Sequence, residues 1–416
     1  MRLERRSGML AMMVAAVPLV LTSCTGNPVK KAAPPPALAL TPGANATDIP
    51  VSAEIGVSVT GGKVTGVEVT DAKGAKVDGA MRPDGSTWMP NAALRYKQTY
   101  TARATAVNDK GRTSTQTSSF TTMGKPAKQT KTTLYFEKDQ TYGVAMPVTV
   151  DFDPGVPKEA RADVQRRLFV TTDPPQPGAW HWTDDGKQVY YRAPDFWQSG
   201  TKIGVRAAIG GLPMGNGRYG DVDRGASAKV GNRVSLEIDN KTKQMSVFKD
   251  DKLARKIPVS LGKSSTPTSS GKMVIMEKFD TTVFDTTGSA DPYVTTVQDA
   301  QRLTWGGEFI HSAPWSVGSQ GYTNVSHGCT NISPADANWL MNVTHVGDLV
   351  TVKGTEVKLD PGNGWTAWNL SWEEYVKGSA LPVPEGLKPG TQGSPSPNGT
   401  PPTTTAPVPT PSNVGR

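Results

Sequence analysis

Short runs of alternating polar and apolar residues recur through the first half of this 416-residue chain and restrict it largely to β-structure. Clear examples are residues 57–60, 99–107 and 113–120. The side chains of a strand point alternately to its two faces, which gives this period of two. Turn residues such as Asn108-Asp109-Lys110-Gly111 separate the runs, and glycine and proline are abundant, with 43 and 34 copies. The pattern predicts a mainly β protein built from sandwiches.

The runs fall into three β-rich regions. Residues 47–123 and 124–228 each predict a β-sandwich. Residues 229–354 predict a further β-rich domain with one or two short helices. One helix should start at Ser333-Pro334, because serine is a good N-cap and proline fits the first turn. Residues 24–46 and 382–416, rich in proline with alanine or threonine, predict a tether and a disordered tail.

Two aromatic groups need separate interpretations. Residues 355–381 hold Trp365, Trp368, Trp372 and Tyr375, and too few residues surround these rings to bury them locally. They predict a segment that docks on another part of the chain. The other group lies in the second sandwich, where alternation favours core positions over a sugar-stacking surface without excluding the latter. Its members are Trp180, Trp182, Tyr190, Tyr191 and Trp197.

The N-terminus predicts export. Residues 1–23 combine three arginines with an apolar stretch, residues 9–21, that is too short to span a bilayer. The sequence Leu21-Thr22-Ser23-Cys24 is similar to a bacterial lipobox, which implies cleavage before Cys24 and a lipid on its sulfur. We therefore expect an extracytoplasmic protein anchored to the outer face of the cell membrane and reaching into the cell wall. A plain signal peptide or an uncleaved anchor are the alternatives.

Only two cysteines are present, so lipidation of Cys24 leaves Cys329 without a partner. Exported proteins tend to pair their cysteines, and an unpaired thiol there is exposed to oxidation. Catalysis would explain why such a thiol is kept. The formal charge of +8 is spread along the chain, and no basic cluster is dense enough to predict nucleic-acid binding.

Chemistry-bearing residues concentrate in residues 311–331. Two of the four histidines, His311 and His327, lie there, and Cys329 follows His327 by two residues. A thiol attacks as thiolate, and a neighbouring imidazole is the usual means of removing its proton. On an extended strand, the side chains of His327 and Cys329 would leave the same face. Their ion pair would lower the pKa of the thiol.

The spacing from His311 to Ser326-His327-Gly328-Cys329-x-Asn331 resembles the signature of the YkuD-type L,D-transpeptidases, which cross-link bacterial peptidoglycan. This chain has Thr330 where the signature normally has an apolar residue. The resemblance extends to a hairpin at residues 234–248 followed by Ser260-x-Gly262 and Thr266-Pro267-Thr268. The two sandwiches resemble the immunoglobulin-like domains that precede the catalytic domain in mycobacterial members, and residues 355–381 resemble their C-terminal extension, which packs on the catalytic domain.

The resemblance implies a mechanism and a set of roles. Cys329 would attack the carbonyl between diaminopimelate and D-Ala of a tetrapeptide donor, and His327, oriented by the backbone carbonyl of Ser312, would be its base. The thioester would pass to the amine of an acceptor diaminopimelate, giving a 3→3 cross-link. The oxyanion would be held by the amides of Gly328 and Cys329 and by the Tyr293 hydroxyl. A lid at about residues 280–300 would cover the site. Substrate-binding positions would be His311, Tyr293, Asn331, Trp315 and Ser326. Carbapenems would acylate the same thiol.

Several alternatives remain open at this stage. Water in place of the acceptor amine would make the protein an L,D-carboxypeptidase on the same stem peptides. A cell-wall-binding lipoprotein without activity is the non-enzymatic alternative, and there Cys329 would be a buried structural thiol. Zinc bound by His311, His327, Cys329 and His345 would be a third, but their spacing fits no common zinc pattern. We therefore predict no metal and no cofactor.

Overall fold

The computed structural model describes residues 33–288 and 292–390. The predicted signal peptide, Cys24, the first part of the predicted tether and the chain beyond residue 390 lie outside these residues. Most of the described chain is strand, turn or loop, and its three α-helices are short. None of these helices has the length and apolarity needed to span a bilayer. The mainly β prediction is confirmed.

The first sandwich packs the sheet β1-β3-β6-β5 on the sheet β2-β8-β7-β4, around a core that contains Ile55, Trp88 and Phe120. Its strands are β1 (Ala37–Thr41), β2 (Ala46–Ile49), β3 (Ile55–Thr60), β4 (Lys63–Asp71), β5 (Gly79–Met81), β6 (Thr87–Pro90), β7 (Thr99–Val107) and β8 (Thr113–Thr122). The tether prediction for residues 24–46 is wrong over β1. That strand pairs with β3, and Leu40 packs against the core.

The second sandwich packs the sheet β13-β14-β11-β9-β16 on the sheet β10-β17-β15-β12. Four of the five aromatics considered above (Trp180, Trp182, Tyr190 and Trp197) are buried in its core, and Tyr191 packs against it. The elements are β9 (Gln129–Leu134), β10 (Thr141–Tyr142), β11 (Val148–Asp153), α1 (Lys158–Gln165), β12 (Leu168–Asp173), β13 (Ala179–Trp182), β14 (Gln188–Arg192), β15 (Lys202–Ala207), β16 (Tyr219–Gly220) and β17 (Arg224–Val230).

The third region combines a six-stranded sheet, β20-β19-β18-β26-β21-β27, with a four-stranded sheet, β22-β23-β24-β25. Its elements are β18 (Val234–Asp239), β19 (Gln244–Lys249), β20 (Lys252–Pro258), β21 (Ser269–Val274), β22 (Glu277–Asp285), β23 (Val294–Arg302), β24 (Phe309–Ser312), β25 (Thr330–Ile332), α2 (Pro334–Val343), β26 (Leu349–Lys353) and β27 (Val357–Lys358). The helix α2 begins as predicted: the side chain of Ser333 accepts a hydrogen bond from the amide of Asp336.

The long hairpin β22–β23 lies where the sequence predicts a lid. Its strands pair from Glu277↔Arg302 to Asp285↔Val294. The hairpin continues through β24 into β25, and β24 and β25 run parallel. This connection places the hairpin and His311 in one small sheet, with Cys329 directly before its last strand, β25.

The C-terminal segment docks mainly on the second sandwich, whereas the resemblance implied packing on the third region. Trp368 donates its indole N–H to the carbonyl of Ala145 at 2.6 Å, and Tyr375, in α3 (Trp372–Val376), donates its hydroxyl to the carbonyl of Tyr190 at 2.8 Å. A smaller contact reaches the third region, where the amide of Lys272 donates to Asn369 at 3.1 Å. The segment therefore joins the two units.

The disordered tail was predicted to begin at residue 382, and this boundary is wrong. Leu387 is buried, and its carbonyl accepts a hydrogen bond from the indole of Trp372 at 2.8 Å. The burial of the Leu387 side chain and the hydrogen bond from the Trp372 indole explain why the ordered chain extends beyond the aromatic cluster.

Arg192 ties the C-terminal segment to the second sandwich. Its guanidinium is buried among the rings of Trp368, Trp372 and Tyr375, at 4.3, 5.2 and 4.2 Å from their centroids. It also donates to the carbonyls of Ala367 and Leu370. Buried cation–π contacts and charge-assisted hydrogen bonds of this kind are each worth about 1.5–3 kcal/mol.

We expect Arg192→Met to lower the free energy of unfolding by about 2–4 kcal/mol, because the carbonyls of Ala193, Pro194, Ala367 and Leu370 lose this donor. Chemical denaturation followed by tryptophan fluorescence measures the change, and limited proteolysis of residues 359–390 reports release of the segment. The exposed Arg103→Met is the matched control and should change stability by less than about 0.5 kcal/mol. Equal stability of the two variants would contradict the role given to Arg192.

Candidate active site

A cavity of about 310 Å³ opens beside the sulfur of Cys329. The predicted site residues that line it are Tyr293, His311, Trp315, Ser326, His327, Cys329 and Asn331. Phe284, Thr295 and Val325 complete the wall. The sheet of β22 to β25 and the loop before β25 thus bring together residues that are as far as 47 positions apart in the chain, Phe284 and Asn331. Ser312 and Gly328, the other predicted site residues, support the cavity without lining it.

The loop Ser260-Leu261-Gly262-Lys263 holds the segment that carries Cys329. The amide of Ser326 donates to the carbonyl of Leu261, and the amide of Lys263 donates to that of Ser326. Ser260 and Asn331 exchange two backbone hydrogen bonds. Gly262 is required by space, because a Cβ there would lie 2.1 Å from the carbonyl oxygen of Thr266.

The prediction that His327 and Cys329 share one extended strand is wrong. Residues 327–329 form a bend, and β25 begins only at Thr330. Gly328 makes the bend possible, since its φ of +124° lies where residues with a side chain are strained. Thr268 donates its hydroxyl to the carbonyl of Gly328 at 2.7 Å, and Ser326 donates its hydroxyl to that of Cys329 at 2.6 Å.

The carbonyl of Ser312 orients His311 and not, as predicted, His327. Nδ1 of the buried His311 ring lies 2.9 Å from that oxygen. Because a carbonyl only accepts, Nδ1 carries the proton, and the lone pair of the neutral ring is on Nε2. Burial lowers the pKa of His311. The ring packs edge-on against Phe284, with centroids 5.2 Å apart.

His327 differs from His311 in its hydrogen bonding and in its exposure. Its Nε2 lies 3.2 Å from Nζ of Lys263, and an ammonium only donates, so Nε2 is the acceptor. The ring of Tyr293 lies against the imidazole, with centroids 4.8 Å apart. Whereas His311 is buried, His327 is exposed at the mouth of the cavity. The two histidines therefore offer different chemistry to a molecule in the cavity.

Cys329 is a free, buried thiol whose sulfur donates to the carbonyl of Gly307 at 3.6 Å. The pKa of Cys329 is raised to about 12, mainly by burial and also by the nearby charge of Glu308, while the Phe309 amide opposes both. The expected lowering of this pKa by an ion pair is therefore wrong for the protein without substrate. The sulfur is held as a thiol.

The remaining predicted residues take supporting positions. The amide of Gly328 donates to the hydroxyl of Ser326 at 3.2 Å, which leaves the amide of Cys329 as the better oxyanion candidate. Asn331 is buried and donates its side-chain N–H to the hydroxyl of Ser316 at 3.1 Å, so it braces the loop. Thr330 is also buried, and its hydroxyl has no hydrogen-bond partner.

Sequence reasoning missed two charged residues of the site, Glu308 near Cys329 and Lys263 against His327. Glu308 directly precedes the strand of His311, β24, in the sequence Gly307-Glu308-Phe309-Ile310. A lone acid at the start of an apolar strand was the available signal. Lys263 follows Ser260-x-Gly262, but nothing local indicated that it reaches His327, which is 64 residues away.

The zinc alternative brought in His345, which the structure places elsewhere. Its Nδ1 lies 4.0 Å from the carboxylate of Asp348, after the end of α2, and it does not line the cavity of Cys329. Among residues 33–288 and 292–390, no group of three or more His, Cys, Asp or Glu side chains could hold a metal ion.

Two families match different parts of the chain. Residues 46–213 match the family described as bacterial Ig domain, and residues 233–352 match the family described as L,D-transpeptidase catalytic domain. L,D-transpeptidase 2 of Mycobacterium tuberculosis is 31% identical over 396 residues, which are 90% of this chain and 96% of that protein. L,D-transpeptidase 5 of the same species is 33% identical over 90% of this chain and 85% of its own length.

Among solved structures, LD transpeptidase LdtMt1 in complex with imipenem is 31% identical in sequence. The match covers 55% of this chain and 100% of that chain, with a TM-score of 0.44.

We expect Gly328→Ala to destabilise the protein by about 1–3 kcal/mol, because alanine is strained at the φ that the bend requires. The environment is not the obstacle: the nearest atom to an added Cβ would be Cγ of Glu308, at 3.8 Å. Differential scanning calorimetry measures the loss. Gly318→Ala is the control, since Gly318 has ordinary φ and open space around it. If Gly328→Ala were as stable as this control, the bend would tolerate a side chain and the prediction would be wrong.

Proposed function

Because this chain belongs to the L,D-transpeptidase family, whose members cross-link peptidoglycan, we propose that it forms 3→3 cross-links between diaminopimelate residues through a thioester on Cys329. The observation that supports this most is the cavity that joins Cys329 to the oriented imidazole of His311. The donor would be a tetrapeptide stem, and the acceptor would be the side-chain amine of diaminopimelate on a neighbouring stem.

We assign the role of base to His311 and not to His327. The Ser312 carbonyl fixes the His311 tautomer that has a lone pair on Nε2, and its lowered pKa keeps the ring neutral. Cys329 packs with Phe309, whose side chain leaves the same face of β24 as that of His311, two residues on. His327, bonded to Lys263, is better suited to hold an anionic part of the substrate.

The acylation step follows from this assignment. The thiol proton passes to Nε2 of His311 as the sulfur attacks the carbonyl between diaminopimelate and D-Ala. The oxyanion is held by the amide of Cys329, with the Tyr293 hydroxyl as a second donor. The C–N bond then breaks, His311 returns the proton to the departing amine, and D-Ala leaves. Because the resting sulfur is a thiol, proton transfer accompanies attack instead of preceding it.

The thioester is resolved by the acceptor amine. This amine attacks the thioester carbonyl and gives up a proton to His311, the C–S bond breaks, and the proton returns to the sulfur. One amide is consumed and one is formed, so the exchange needs no external energy source and no cofactor. Carbapenems, whose strained ring offers a comparable carbonyl, would acylate Cys329 and stop at that stage.

The setting of the enzyme is part of the same proposal. Residues 1–23 would direct export, and a lipid on Cys24 would hold the protein at the outer face of the cell membrane. The two sandwiches would then act as spacers that carry the catalytic region into the cell wall.

Cys329→Ala should abolish dimer formation from disaccharide-tetrapeptides, since no other group can form the acyl-enzyme. Mass spectrometry of the products measures this, and imipenem should add to wild-type protein and not to the variant. Dimers support transfer, whereas tripeptides alone would indicate an L,D-carboxypeptidase. An unmodified wild-type Cys329 with no change in the stem peptides would favour a cell-wall-binding role without catalysis.

The two histidines can be told apart by substitution with glutamine. His311→Gln should slow acylation by imipenem at least 100-fold, because it removes the proton acceptor, whereas His327→Gln should slow it less than about 10-fold. Since the neutral ring is the active form and its pKa lies below 6.5, the wild-type rate should fall only when the pH drops below that value. The reverse order of the two variants would return the role of base to His327.

A further inference from the structure

Glu308 lies directly behind the nucleophile. It follows Gly307, whose carbonyl accepts the thiol hydrogen bond of Cys329, and it precedes Phe309, whose amide faces the same sulfur. Its side chain does not line the cavity in which substrate would bind. The carboxylate is therefore close to the sulfur but on the side away from the substrate.

Two contacts define how the side chain is held. Oε1 accepts a hydrogen bond from the amide of Ser269 at 2.8 Å. Oε2 is buried and has no hydrogen-bond partner. The side chain also lies against the inner side of the bend, where its Cγ is the atom nearest to the place that a Cβ on Gly328 would take. A carboxylate oxygen buried without a donor is costly, so its retention requires a reason.

The nearby cations do not compensate the charge of the Glu308 carboxylate. Arg302 stacks on the ring of Phe309 at 4.7 Å, but its guanidinium pairs with Glu277 at 2.6 Å. Lys263 contacts His327. No salt bridge among residues 33–288 and 292–390 joins Glu308 to a cation. The other titratable groups that face Cys329 are His311, His327 and Tyr293, across the cavity.

We propose that Glu308 is a positioning residue that acts through Cys329: its carboxylate, held by the Ser269 amide against the Gly328 bend, keeps the sulfur protonated until substrate is bound. A negative charge in a low-dielectric surrounding opposes the formation of a second one beside it. Burial raises the pKa of Glu308 as well, but a carboxyl group ionises at lower pH than a thiol whose pKa is about 12, so the charge of Glu308 is in place where Cys329 would ionise.

This role rests on the proposed function, and it explains two of its features. The proton that His311 must take and return is still on the sulfur when substrate arrives. A thiol also resists oxidation better than a thiolate does, which matters for an unpaired cysteine outside the cytoplasm. Glutamine would keep the shape of the side chain and its bond to Ser269, so a purely structural role would survive Glu308→Gln.

The test measures alkylation of Cys329 by iodoacetamide between pH 6 and pH 11. Peptide mass mapping follows Cys329 alone, because Cys24 is a second cysteine in the full chain. We expect the Glu308→Gln rate profile to be displaced by at least one pH unit to lower pH relative to wild type, which in this range is about 10-fold faster alkylation at each pH below the midpoints. Glu356→Gln, which removes an exposed carboxylate, is the control and should leave the profile unchanged.

Glu308→Asp supplies the second arm, because it keeps the charge and shortens the side chain. Its rate profile should lie nearer to that of wild type than to that of Glu308→Gln. An unchanged profile in Glu308→Gln, or identical profiles in the two variants, would overturn the proposal. Alkylation needs no stem peptide, so a failure of the cross-linking assay leaves this measurement intact and the two proposals fail separately.

Discussion

The bend at Gly328 is the constraint on which the candidate active site depends. It turns the chain between the exposed His327 and the buried Cys329, and it exists because glycine alone tolerates the φ of +124°. Hydrogen bonds from Thr268 and Ser326 to the carbonyls of residues 328 and 329 fix it on both sides. The sulfur is consequently set into the sheet, and the imidazole two residues before it is directed to solvent.

Burial then decides the electrostatics of the site. The same low dielectric that raises the pKa of Cys329 lowers that of His311, so both groups are neutral in the resting protein. In the proposed mechanism, the neutral thiol gives its proton to the neutral imidazole only when a substrate carbonyl is presented to the sulfur. Glu308 strengthens this state from behind, and the Lys263–His327 contact adds positive charge at the mouth.

The C-terminal segment connects the second sandwich to the catalytic region. Arg192 reaches out of the second sandwich into three aromatic rings of that segment, and Asn369 of the segment bonds to the catalytic region. The apolar core of the second sandwich extends without interruption to Met276 and Trp365. The sandwich and the catalytic region therefore share a core, which holds the active site at a fixed orientation to the sandwich.

The sequence alone determined the fold class, the start of helix α2 and, through its resemblance to a known family, seven of the ten residues that line the cavity. These depend on period-two alternation, on local capping chemistry and on a compact signature, all of which act over short distances. Only the tertiary structure decided which histidine the Ser312 carbonyl orients, where the aromatic segment docks, and that Glu308 lies behind the sulfur. Those outcomes depend on burial and on contacts between residues far apart in the chain, for which the local sequence carries no signal. The expected strand gave way to a bend at Gly328, and one of the two hydrogen bonds that fix this bend comes from Thr268, 60 positions away.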